Sequence, residues 1–278
     1  MSKVSWYGAL VITLGLALPT GALAQRRGSR KPPPPPPVAE VSPIDVQALS
    51  GPDLELAAKA AETLGQIASE PAHEALLDAL ALGLPPAVAV PTIEALAMQP
   101  APGDVAMLRR YARHRTPSVR SAALGALASY PSPEAQQAIS DGLRDLVGSV
   151  RTAAASAAAR GRVRTAVDEL MILLARGEDS SARALGAMAD HELAKQLTEQ
   201  LGKAPDAQLA RALGTLLLRD DFGPDTAKVE IVRTLAKIQD PVAVTELTDY
   251  INATPKRPVR ASRQEAAGVV EARTGGAR

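Results

Sequence analysis

"SVRSAALGALAS" begins at Ser118, and "SVRTAAASAAAR" begins at Ser149, 31 residues later. A Ser-Val-Arg opening followed by small residues, repeated at that distance, restricts the chain to folds built from like units. In the first copy Val119, Ala122, Ala123, Ala126 and Leu127 recur at helical spacing and form one apolar stripe. Thr116 and Pro117 stand where an N-cap and a first helical residue belong, and Ser132 is placed to cap a second helix after "YPSP". The unit is helix, short turn, helix.

Taking the leucine of "ALG" as a marker, equivalent positions fall at Leu64, Ile93, Leu124, Ala155, Leu185, Leu213, Leu235 and about Gln264. The steps are 29, 31, 31, 30, 28, 22 and 29 residues. One pair of amphipathic helices cannot cover its own stripe, so each pair must stack on the next. The expected fold is all-α, a right-handed α-solenoid of stacked helical hairpins over residues 53–275. The alanines allow close approach of helix axes, and the leucines and isoleucines supply most of the burial.

Residues 1–24 read differently. Lys3, an apolar stretch from Val4 to Leu18, Pro19 and the Ala22-Leu23-Ala24 box form a secretory signal, with cleavage expected before Gln25. The competing reading is an uncleaved inner-membrane anchor, because no charge interrupts Val4 to Ala24. Residues 25–52 form a basic, proline-rich linker predicted to be disordered, with Arg26, Arg27, Arg30 and Lys31 ahead of the polyproline run Pro32–Pro37. Export to the periplasm is the expected location.

Charge and composition narrow the function classes. Residues 38–255 hold 20 basic against 28 acidic side chains, a poor surface for nucleic acid. Beyond the leader the aromatic residues are Tyr111, Tyr130, Phe222 and Tyr250, too few for base-stacking platforms. The absence of cysteine excludes disulfides, thiolate metal sites and a lipid-modified N-terminal cysteine. His73, His114 and His191 are scattered, each expected to be solvated or capping, and "HELAK" at 191–195 lacks the second histidine of a zinc-protease helix. No nucleophile elbow, phosphate-cradling loop or dinucleotide fingerprint occurs. Neither catalytic residues, nor metal, nor cofactor, nor a small-molecule substrate are expected.

The stretch "PSVRSAALGALASYPSPEAQQAISDGL" resembles a HEAT-like repeat of the short variety also called PBS-lyase HEAT-like. Val119-Arg120, Val150-Arg151 and Val259-Arg260 match its Val-Arg pair, and Gly65, Gly125, Gly186 and Gly214 match its glycine. The resemblance covers roughly 53–275. It implies that Arg120, Arg151 and Arg260 form a structural ladder with acids of adjacent repeats, Asp141 and Asp145 being the expected partners. It also implies that the second helices line one working face, at about 71–82, 103–114, 132–146, 163–176, 189–201 and 241–252. Their polar residues include Arg109, Arg110 and Arg113, then Glu192, Lys195, Gln196 and Glu199. These are the expected contacts of an unidentified protein partner.

The short step from Leu213 to Leu235 spans "LRDDFGPDTAK". A truncated repeat or a missing second helix would produce it. Phe222 would then plug a kinked junction, or the bend would shape a binding surface or a weak cation site. The expected function is an exported, non-enzymatic protein-binding scaffold of the cell envelope. One alternative makes the basic arm an attachment to anionic lipid or cell-wall polymer. A more remote one, drawn from the family's name, is a bilin-lyase-type function.

Overall fold

The computed structural model describes residues 41–67 and 69–275. The expected signal peptide, its expected cleavage site at Ala22, Ala24 and Gln25, and the basic, proline-rich arm through Pro37 lie outside the described residues. The described chain forms fifteen α-helices and a 3-10 turn.

Helix starts follow the local chemistry. Ser69 Oγ accepts from the Ala72 N–H, Ser132 Oγ from Ala135 at 3.1 Å, and Asp190 Oδ1 from Leu193 at 2.9 Å. Each satisfies an amide that has no partner inside its helix. Thr116 occupies the N-cap position of the Ser-Val-Arg helix, but its side chain makes no capping bond.

Two layers alternate along the chain. The first holds α2 (Leu54–Gln66), α4 (Pro86–Met98), α6 (Pro117–Leu127), α8 (Gly148–Arg160), α10 (Asp179–Met188), α12 (Asp206–Leu217) and α14 (Pro241–Ala253), each packed on the next. The second holds α3 (Glu70–Leu82), α5 (Asp104–Tyr111), α7 (Pro133–Gly142), α9 (Val167–Ala175), α11 (His191–Thr198), α13 (Asp225–Lys237) and α15 (Ala261–Gly275). The 3-10 turn Arg164–Ala166 leads into α9 and packs on α7. The markers Leu64, Ile93, Leu124, Ala155, Leu185 and Leu213 are all buried between the layers. The chain is an all-α solenoid of stacked hairpins.

Three expectations need correction. The expectation of disorder as far as residue 52 is not met, because α1 (Pro43–Leu49) packs on α2 and buries Leu49, with Ser42 as its cap. A short amphipathic turn covering the first hairpin escapes a reading keyed to the repeat. Second, the repeat at the short step is not truncated. Helix α13 is the partner of α12, and α14 returns to the first layer, where Leu247 is fully buried. The stripe Val229, Ile231, Val232 and Leu235 of α13 mimics a first helix, because an apolar stripe does not reveal its layer. Helix 241–252 is therefore a first helix, and Gln264 is exposed.

The third correction concerns His73, which is neither solvated nor a cap. Its Nε2 lies 2.9 Å from Oδ1 of Asp104, a fully buried carboxylate that also accepts from Tyr130 OH at 2.7 Å and from the Ala101 N–H at 2.8 Å. Burial and that carboxylate raise the Tyr130 phenol far above its ordinary value. The cluster ties α3 to α5 and to the turn after α6. The few aromatics act as pins between repeats: Tyr111 OH donates to Leu80 O at 2.7 Å, and Tyr250 OH meets Ser262 Oγ at 2.6 Å.

Candidate interaction surface

Arginines stitch the turns together. Arg120 grips Asp145 with two bonds of 2.8 Å, and its remaining nitrogen donates to His114 O and Arg115 O. Arg151 repeats the arrangement one unit later, with Glu178 as its acid and Asp145 O and Leu146 O as its carbonyls. Asp141 takes no part and accepts instead from Gln137. The same reach recurs in Arg144–Glu169 and Arg164–Asp190, so four pairs span 25 to 27 residues. Glu178 lies two residues beyond the spacing of Arg120 and Asp145, so that spacing alone, which falls on Arg176, does not reach it.

Arg260 stands outside this ladder. Val259 is exposed, α15 begins only at Ala261, and Arg260 forms no ion pair among the described residues. The Val-Arg pair there lies in an irregular segment after Thr254, where no helix carries the valine inward. On the second-layer helix α13, Lys228 does a related task. It is buried, donates to Leu217 O at 2.9 Å and Arg219 O at 2.6 Å, and lies 5.7 Å from the Tyr250 ring centroid. Burial pushes its ammonium below the usual lysine range.

The bonds of these arginines reshape the carboxylates. Arg120 holds Asp145 below the usual range. The Leu193 amide, then Arg164, does the same for Asp190. Asp221 accepts from both Arg219 and Arg162, and is lowered to about 2, chiefly by Arg219. Arg162 reaches that clasp from the end of α8 with a backbone φ of 48°. Neither Arg162 nor Arg219 was singled out from the sequence, since their partner lies in the irregular turn.

The expected partner-binding residues fall into two groups in the second layer. Arg110 and Arg113 are exposed and Arg109 half-exposed, at and beyond the C-terminal end of α5. Glu192, Lys195 and Gln196 on α11, with Glu199 just after it, are all exposed. The groups share a layer but not a site, because α7 and α9 stand between them.

Open hollows accompany both. One of about 400 Å³ is lined by Arg110, Arg113, His114 and Arg115. Two others meet at Phe222: one of about 400 Å³ faces Arg164, Asp190 and Arg219, and one of about 200 Å³ lies between α11 and α13. Phe222 is buried there and fills the gap between those helices. A groove of about 650 Å³ crosses α4, α6 and α8 in the first layer, where Gly125 and Ala122 leave room and Arg160 is held by Gly125 O at 3.0 Å. No helix among the described residues is long and apolar enough to cross a membrane.

Residues 74–159 match the family model for HEAT repeats. Among solved structures, the complex of CpcE and CpcF of phycocyanin lyase from Nostoc sp. PCC7120 is 17% identical, covering 88% of this chain and 98% of that one at a TM-score of 0.46. Kap121p is 14% identical over 81% of this chain and 28% of its own, with a TM-score of 0.49. Human deoxyhypusine hydroxylase in complex with glycerol is 20% identical over 82% of this chain and 95% of its own, with a TM-score of 0.39. No curated protein matches the chain.

Proposed function

We propose, from the premise that this chain carries a HEAT-like repeat array, that it is an exported, non-enzymatic scaffold binding a protein partner along its second-helix layer. The observation that carries this reading is the division of labour among polar side chains. Those inside the array, such as Arg120, Arg151 and Asp104, are consumed by partners within the protein. Those on α5 and α11 point outward with no ion pair among the described residues. A row of such helix faces presents area and charge to another macromolecule, and area with dispersed polar contacts is what a protein interface uses. General acid–base chemistry needs groups converging in a closed site, whereas the hollows here are open and their charges mutually paired or spread. The leader and its Ala22-Leu23-Ala24 box support export to the envelope.

A photo-crosslinking residue placed at Arg113 or Gln196 in intact cells tests this. The reading predicts the same discrete protein adduct from both positions and none from Thr152, an exposed residue of α8 in the first layer. Adducts from Thr152 alone, or from none of the three, would contradict it.

A further inference from the structure

We infer that the hollow at the C-terminal end of α5 receives the carboxylates of a short acidic segment of the protein partner, an inference that rests on the protein-binding reading and gives it a chemistry. Elsewhere in the array, five arginines that reach a neighbouring repeat meet carboxylates: Arg120 with Asp145, Arg144 with Glu169, Arg151 with Glu178, Arg211 with Asp179, Arg233 with Glu265. Arg109, Arg110, Arg113 and Arg115 crowd into one turn and its exit, and none of them forms an ion pair among the described residues. Like charges so placed repel one another, and no carboxylate lines the hollow of about 400 Å³ that three of them share with His114.

The cations stand on a fixed frame. Tyr111 is buried, its hydroxyl held by Leu80 O at 2.7 Å, and its ring stacks on His114 with centroids 6.1 Å apart. The Thr116 amide donates to His114 Nδ1 at 3.1 Å, which leaves Nε2 as the ring's donor. Arg120 clamps the carbonyls of His114 and Arg115 from beneath, at 2.9 and 3.1 Å. The loop is thereby held in shape before any ligand arrives, and such preorganisation lowers the cost of binding.

Guanidiniums pair with carboxylates in two-pronged fashion, as Arg120 and Asp145 do within this chain. The ligand is short, because residues 38–255 carry 28 acids against 20 bases and a long polyanion would run onto that acid-rich surface. It is not a base-stacking ligand either, since Tyr111 is buried and the His114 ring is already stacked on it.

Fluorescence anisotropy of labelled hexaglutamate with the purified protein tests the assignment. The expected result is saturable binding that weakens with salt and falls at least about tenfold in Arg110→Ala/Arg113→Ala/Arg115→Ala. All three side chains are exposed, so the variant should keep its melting temperature, and the single Arg113→Ala gives a smaller loss should the triple variant fold poorly. Arg183→Ala, at an exposed arginine of the first-layer helix α10, should bind as the parent does. Absence of saturable binding, binding untouched by the arginine substitutions, or displacement of the peptide by an equal concentration of inorganic phosphate would each overturn it. Partner adducts from Gln196 that persist beside such a result would show that this inference has failed while the protein-binding reading stands.

Discussion

At Gly186 an added methyl group would press on Ala212 O and come within 2.8 Å of Thr215 Cβ, whereas at Gly125 the nearest atom is Arg160 Nη2, 3.7 Å away. Both glycines sit in first-layer helices, where alanine is favoured over glycine by about 1 kcal/mol. Backbone at Gly186 cannot yield as a side-chain tip can, so overpacking of about 1–3 kcal/mol outweighs propensity there. Thermal melts should therefore show Gly186→Ala destabilised and Gly125→Ala unchanged or stabilised by up to about 1 kcal/mol. The shared "ALG" motif hides this difference, because it depends on how near the next repeat lies.

The ladder acids set the response to pH. Asp145, Asp190 and Asp221 are held below the ordinary carboxylate value of 3.8, so their contribution is complete above that pH. It is lost as pH falls through their lowered values, down to about 2 for Asp221. Glu246, raised by burial, has the opposite sign, and its penalty at neutral pH is relieved as acid protonates it. Arg120→Met should cost about 2 kcal/mol at neutral pH, since it strips a two-pronged bond from Asp145 and uncaps two carbonyls. Denaturant melts should show that difference shrinking towards pH 2. A difference independent of pH would mean that Asp145 does not supply it.

At the scale of elements, the irregular stretch after α12 is where sequence and structure part. Spacing alone located the first six first-layer helices, because a buried leucine, isoleucine or alanine recurs at nearly constant steps. It then placed α13 in the wrong layer. Every helix here buries one stripe against others, and nothing in the stripe of Val229, Val232 and Leu235 tells which layer receives it. The exposed polar positions on the second helices were legible, but the structure does not gather them into one site, because residues 109–113 and 192–199 are adjacent only in character. The acid-free hollow at α5 depends on where carboxylates are missing in space, which a chain sequence does not display. Phe222 was legible as a plug, and it is buried between α11 and α13. Phe222→Ala should cost about 3 kcal/mol and join the two hollows it separates. An apolar fluorescent probe should bind the variant more strongly than the parent, and equal binding would show that the gap had closed.

The whole molecule is a one-dimensional stack, stabilised by each hairpin and by its contact with the next. Its central structural claim is that the two layers continue without interruption past the irregular turn, so that α14 lies beside α12 and the outward face runs on through α11, α13 and α15. Glu246 of α14 sits against Gly214 of α12, with Glu246 Cβ only 2.6 Å from where a glycine methyl would stand. The chain has no cysteine, so introduced thiols report without background. In Arg211→Cys/Glu246→Cys, a bifunctional maleimide spanning about 10 Å, the distance between packed helices, should link α12 to α14 within one molecule. Near-complete intramolecular linkage in the folded protein, lost in denaturant, is the predicted result. A folded variant that does not link would place α14 in the other layer and contradict the continuous array.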